Sequence, residues 1–186
     1  VYDLTGNACS DDIVIRFTTI APPTVVPGMY DAVVTNATEL TEALGKADGK
    51  QRYRIFLHDG IYDLGSACLT NIPGNVSLIG ESTEGTVIMN KAPNEGISIS
   101  ATLCTGGENI YMQDLTVRNA GDNDASAAAR RFVAIQENAS KAVYKNVCLQ
   151  SNQDTYYTRD TQRTYWEGGM ITGTVDYICG GGDIFF

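Results

Sequence analysis

From Tyr53 onward the apolar residues fall at alternate positions in short runs divided by Gly, Asn and Asp. That is the period of a strand, not of a helix. The runs are YRIFLH, NVSLIGE, TVIMN, GISIS, NIYMQDLTVRN, RFVAIQ, AVYKNVCLQSN and TYWEGGMITG, and no long helical crossover follows any of them. Three can be laid over one another: MQDLTV (112–117), YKNVCL (144–149) and WEGGMI (166–171). Each opens on a large residue, continues with two polar or small ones, and then carries mostly apolar residues at alternate positions. Repeats of this kind predict the coils of a solenoid. In a parallel β-helix, coils stack about 4.8 Å apart, so equivalent positions form ladders inside and out. A β-sandwich is the competing architecture. Few two-residue hairpin signals separate the runs, Asp59-Gly60 being the clearest, which weighs against antiparallel meanders.

Helical spacing occurs once. Asn36-Ala-Thr-Glu39 offers a capping box, and Leu40, Ala43 and Leu44 follow at helical intervals, so a short amphipathic helix is predicted over about 38–46. It would cap the start of the solenoid. The opening segment, VYDLTGNACSDDIVIRFTTIAPP, reads as a turn and one alternating strand (Ile13, Ile15, Phe17) closed by prolines. It resembles the closing strands of bacterial Ig-like domains, which implies that residues 1–27 are the end of a preceding module plus linker, and that a separate unit fills 28–186.

At 186 residues and 43% hydrophobic, the chain can bury a real core. Lysine and arginine number 13 against 22 acidic residues, a net charge of −9 that repels nucleic acid. No run approaches the roughly 18 apolar residues of a membrane span, and the first residues lack the pattern of a signal peptide. Cys9, Cys68, Cys104, Cys148 and Cys179 are scattered without a C-x-x-C; an odd count fits buried free thiols. The single histidine, His58, stands where a strand meets a turn. With no G-x-S-x-G and no His/Cys cluster, neither a serine triad nor a zinc site is indicated.

The candidate chemistry lies in two aspartates. Asp154 follows AVYKNVCLQ in the stretch SNQDTYYT, and Asp176 follows TYWEGGMIT in GTVDYICGG. An aspartate in a turn ordinarily caps backbone amides. If the two preceding strands are equivalent rungs, however, both carboxylates leave one face a single coil apart. Arg131 would fall one coil further back. Neighbouring carboxylates resist double ionisation, so one keeps its proton. The pair then supplies an acid and a base, or an acid and a nucleophile.

NQDTYY, GTVDYICGG and RFVAIQENASKAVYKNV resemble the central motifs of the pectin methylesterases, which read QAVAL, QDTLY and DFIFG in that order on a right-handed parallel β-helix. Gly60-Ile61-Tyr62 is similar to that family's G-x-Y-x-E, and NVSLIGES to another of its strands. The likeness covers about 31–186. It implies an all-β, right-handed parallel β-helix that hydrolyses methyl esters of galacturonate in homogalacturonan, with no cofactor or metal. In that scheme Asp176 is the nucleophile, Asp154 the general acid and later base, and Gln153 a donor to the oxyanion. Tyr157, and with it Tyr156 and Trp166, would offer flat faces to sugar rings, although core packing accounts equally well for the last two. The resemblance further implies a secreted or cell-surface protein, bacterial by its opening segment, acting as a monomer within a multidomain chain.

Several positions depart from the pattern. Arg131 replaces the first glutamine of QAVAL; it can donate to an oxyanion or pair with Asp176 or Asp154, and its role stays open. Leu64 stands at the glutamate of G-x-Y-x-E, while Tyr177 and Cys179 occupy the aromatic positions of DFIFG and read as packing changes. The family's downstream G-R-P-W motif has no counterpart before Phe186, so the sequence is expected to be a fragment truncated at its C-terminal end and inactive or nearly so. Two other readings compete. One is another β-helix pectinolytic enzyme, a lyase or polygalacturonase, for which Asp122-Asn123-Asp124 is a tempting but incomplete calcium loop. The other is a non-catalytic pectin-binding module with a degenerate site.

Overall fold

The computed structural model describes residues 25–26, 28–121, 130–159 and 161–186. The expected strand at Ile13, Ile15 and Phe17, the Ig-like segment around it, and Asp122-Asn123-Asp124 all lie outside the described residues.

The chain winds into a parallel β-helix. After β1 (Ala32–Val34) and helix α1 (Ala37–Lys46), successive coils comprise β2 (Tyr53–Leu57), β3 (Gly60–Asp63) and β4 (Leu69–Ile72), then β5 (Val76–Gly80), β6 (Thr86–Asn90), the one-turn α2 (Ile97–Ser100) and β7 (Leu103–Thr105). Then come β8 (Tyr111–Asn119) with β9 (Ile135–Glu137), and β10 (Ala142–Gln150) with β11 (Tyr156–Thr158). The last turns hold β12 (Arg163–Glu167), β13 (Met170–Thr172), β14 (Ile178–Gly180) and β15 (Asp183–Phe185). Every pairing is parallel. One sheet runs β1-β2-β5-β8-β10-β12-β15, with β3, β6 and β13 joined to it; the other runs β14-β11-β9-β7-β4.

Register explains the core. Ile55 pairs with Leu78, Leu78 with Met112, Met112 with Tyr144 and Tyr144 with Trp166, one inward column through five coils. A second column runs Tyr62, Ile88, Val117, Leu149 and Ile171. On the other sheet, Leu103, Ile135, Tyr156 and Ile178 form the third. The overlay of 112–117, 144–149 and 166–171 is therefore the observed pairing. Each fully buried large side chain in these columns contributes about 1.5–3 kcal/mol relative to exposure.

This packing corrects two expectations. Tyr156 is wholly buried and Trp166 is 3% exposed. The Trp166 ring stacks on Tyr144 with centroids 4.3 Å apart and meets Tyr156 edge-on at 5.2 Å. Both rings fill the solenoid, so neither has a face to offer a sugar.

α1 closes the N-terminal end, with Leu40, Ala43 and Leu44 buried against the first coils. Half of its capping box forms as read, and the returning Glu39 carboxylate engages Thr35, the residue before the cap, in place of the Asn36 N–H. Asn36 Oδ1 accepts from the Glu39 N–H at 3.0 Å, and the Glu39 carboxylate accepts from the Thr35 N–H at 2.8 Å. Gly96–Ser100 departs from the strand expected there. Ser100 N–H closes a helical turn onto the Gly96 carbonyl. The Ser100 hydroxyl donates to the Arg131 carbonyl and accepts from the Val133 N–H, so this turn is docked through a side chain instead of a ladder. Cys68, Cys104, Cys148 and Cys179 are free as expected, but half-buried.

Candidate active site

The turn that leaves β10 delivers Asp154 just before β11, and the turn that leaves β13 delivers Asp176 just before β14. Tyr156 pairs with Ile178 and Tyr157 with Cys179, so the two aspartates hold the same place on successive rungs. Backbone bonds lock the rungs together: Asp154 N–H donates to the Val175 carbonyl at 3.2 Å, Tyr156 N–H to Tyr177 at 2.9 Å, and Thr174 N–H to Asn152 at 2.9 Å. Both aspartates adopt left-handed backbone, with φ of 60° at Asp154 and 51° at Asp176. Aspartate tolerates that region better than most residues, which suits it to this corner. Gly173 makes the close approach possible, since a Cβ there would overlap the Asn152 carbonyl oxygen and Thr155 Oγ1.

The two carboxyl groups stand in different surroundings. Asp154 is 4% exposed, while Asp176 lies open to solvent. Burial pushes the Asp154 carboxyl above its ordinary value; the Cys179 thiol opposes this, Asp176 adds to it, and Arg131 and Gln153 oppose it. Cys179 Sγ lies 3.6 Å from Asp154 Oδ1. Burial, and then the Asp154 charge, push that thiol up to about 12, so it remains a donor.

Arg131 bridges backbone to backbone with Gln153, one coil back from Asp154. Its side chain pairs with neither aspartate. It forks onto Glu95 instead, Nε to Oε2 at 2.8 Å and a terminal nitrogen to Oε1 at 2.9 Å. That clamp lowers the Glu95 carboxyl to about 2. Gln153 is half-buried beside Asp154, and Tyr157, half-buried on β11, stands between Gln136 and Cys179 on neighbouring strands. The structure thus sets Arg131, Gln153, Asp154 and Asp176 in the turns that lead into β9, β11 and β14, with Tyr157 following on β11. Sequence reasoning missed Glu95, whose partner sits on another coil, and treated Cys179 as packing. The pairing of 157 with 179 follows from aligning Asp154 with Asp176, so the Cys179 contact was within reach.

His58 fills the structural place expected of it, its Nδ1 3.0 Å from Glu81 Oε2. Among the described residues no group of three or more His, Cys, Asp or Glu side chains is placed to hold a metal ion. No helix among them is long and apolar enough to cross a membrane.

A parallel β-helix carrying two aspartates and a glutamine on adjoining rungs defines a class of solenoid protein with paired carboxylates. Residues 30–186 match the sequence profile of the pectinesterases, and the chain belongs to the pectinesterase family. A putative pectinesterase/pectinesterase inhibitor 45 of Arabidopsis thaliana is 31% identical over 150 residues, covering 78% of this chain and 24% of that protein. Among solved structures, pectin methylesterase PemA from Erwinia chrysanthemi superposes with a TM-score of 0.73 at 26% identity, covering 84% of this chain and 53% of that one. The pectin methylesterase from Yersinia enterocolitica gives 0.69 at 29% identity, with coverages of 78% and 52%. The chain spans about a quarter of that curated relative and about half of each solved structure.

Proposed function

We propose that this chain carries the catalytic pair of an enzyme that hydrolyses methyl esters of galacturonate units in pectin, with Asp176 as nucleophile and Asp154 as proton carrier. One observation carries the reading: two aspartates repeat at the same rung position one coil apart, one buried with its carboxyl pushed up and the other exposed. The environments divide the labour. The exposed Asp176 carboxylate attacks the ester carbonyl carbon, and the carbonyl electrons move to oxygen. The Gln153 amide donates to that oxyanion, a contact worth about 3 kcal/mol in comparable sites. The intermediate collapses, the methoxy oxygen leaves with the proton of Asp154 as methanol, and an acyl anhydride to Asp176 remains. Asp154, now a carboxylate, takes a proton from water, whose oxygen attacks the anhydride and frees the galacturonate acid and Asp176. No side chain outside the cluster is needed for proton balance. Tyr157 supplies the flat face for a sugar ring. The substrate is an extracellular polysaccharide, which fits a protein at or beyond the cell surface.

Methanol release from esterified pectin tests this. Activity in the full-length protein that falls by on the order of 10⁴-fold or more in Asp176→Ala, with pectin binding kept, is the expected result. Unchanged release in the variant would remove Asp176 from its role. The second reading, a non-catalytic pectin-binding module, is favoured by the Arg131–Glu95 clamp, which engages the residue standing at an oxyanion-donor position. It predicts binding with no methanol from the full-length protein.

A further inference from the structure

A separate cleft of about 320 Å³ opens where the ends of β8 and β10 run into their turns, walled by Lys91, Arg118, Asn119, Gln150 and Asn152 among others. Its volume is at the lower end of small-ligand clefts, about 300–1,000 Å³. Among the described residues no aspartate or glutamate lines it. Its far wall reaches Asn152, the residue before Gln153, so it adjoins the paired aspartates without including them.

Several polar side chains of the wall are already committed to bonds within the protein. Arg118 Nε donates to Gln150 Oε1 at 2.8 Å, which occupies that acceptor and orients the guanidinium. The Asn119 side chain is spent on structure, donating to the Ser100 and Val133 carbonyls at 2.6 and 2.9 Å and accepting from the Gly121 N–H at 3.0 Å. The Ser151 hydroxyl donates to the Phe132 carbonyl. The Asn152 amide nitrogen is buried and has no partner. A buried donor without an acceptor costs about 1–3 kcal/mol, an arrangement that a ligand oxygen would relieve. The charge balance is uneven. In a chain of net charge −9, Arg54, Arg131, Lys141 and Lys145 all pair with carboxylates. Lys91 and Arg118, the two cations of this cleft, have no carboxylate partner among the described residues.

We propose that this cleft binds the carboxylate of a non-esterified galacturonate unit, through the Arg118 guanidinium, the Lys91 ammonium and the Asn152 amide. The guanidinium fork matches the two oxygens of a carboxylate, and the lysine adds a point charge. A methyl ester at the same place offers weaker acceptors and no charge, so the cleft discriminates free acid from ester. This rests on the pectin reading for its ligand. The chemistry itself is that of any small oxyanion, so the test separates the sources.

Calorimetric titration of the chain with trigalacturonate, with its fully methyl-esterified form and with inorganic phosphate is the experiment. The expected result is saturable binding of the free acid, weakened roughly tenfold or more in Arg118→Gln and also in Lys91→Gln, with thermal melting of both variants unchanged. The ester form binds more weakly than the acid, and phosphate fails to displace it. Equal affinity for acid and ester, binding untouched by both variants, displacement by phosphate, or no binding of trigalacturonate would each overturn the proposal. Methanol release measured beside binding on the full-length protein keeps the two ideas apart. A full-length protein that binds trigalacturonate through Arg118 but releases no methanol sinks the esterase reading alone; methanol release without acid-selective binding sinks this one alone.

Discussion

Cys179 Sγ sits 3.6 Å from Asp154 Oδ1, a thiol donor reaching the buried carboxyl from the next rung. A donor to a carboxylate favours its charged form. Replacing Cys179 by Val keeps most of the bulk and removes the donor, so Asp154 holds its proton to higher pH. Because Asp154 must be protonated to expel methanol, the basic limb of the kcat profile moves to higher pH in Cys179→Val and returns in Cys179→Ser. A profile unchanged in Cys179→Val would assign the cysteine to packing alone.

Gly173 fixes how near the two turns come. An alanine Cβ would overlap the Asn152 carbonyl and Thr155 Oγ1, both held in the rung that carries Asp154. Gly173→Ala is expected to cost about 1–3 kcal/mol, as overpacking does, and to lower kcat as Asp154 shifts. Urea unfolding and methanol release measure the two effects. Wild-type stability in the variant would mean that the turn has slack.

Glu137 is fully buried, its carboxylate accepting from the Tyr144 hydroxyl, Thr105 Oγ1 and the Ala139 N–H. Burial nonetheless outweighs these donors and raises the carboxyl above its ordinary 4.5. Between its ordinary value and the raised one, the folded protein therefore holds a proton there that the unfolded chain has released. Stability from this group is complete below the ordinary value and is lost as pH rises through the folded one, by at most about 1.4 kcal/mol per pH unit. Glu137→Gln removes that slope. Melting temperatures from pH 4 upward should show the variant gaining on the wild type as pH rises; parallel curves would contradict the raised value.

Tyr157 and Trp166 separate substrate contact from core. Trp166→Ala empties a stacked position and is expected to cost about 3–5 kcal/mol. Tyr157→Ala should raise KM for esterified oligosaccharide and leave the melting temperature nearly unchanged. Reversed outcomes would mean that the faces of β11 and β12 are misassigned.

The solenoid was legible because ladders repeat in sequence. The large residues at 112, 144 and 166 and the apolar residues at 117, 149 and 171 are two columns, each seen three times. The same alignment placed Asp154 over Asp176. Tyr156 and Trp166 misled because an aromatic suits a sugar and a core equally. Pairing decides between them, and Tyr156 shares its column with Ile135 and Ile178. Gly96–Ser100 was misread because Ile97 and Ile99 alternate as in a strand. Its helical turn depends on Ser100 bonding to Arg131 and Val133, thirty-odd residues away in sequence. The Arg131–Glu95 clamp is likewise a contact between coils, and local pattern carries no trace of it.

The account depends most on Asp154 feeling Asp176 across one rung, and a carbon-13 NMR titration of the Asp154 carboxyl measures this directly in the wild type and in Asp176→Asn. The predicted result is a midpoint above the ordinary 3.8 that moves down when the Asp176 charge is removed. A wild-type midpoint at the ordinary value, or one indifferent to the substitution, would contradict it.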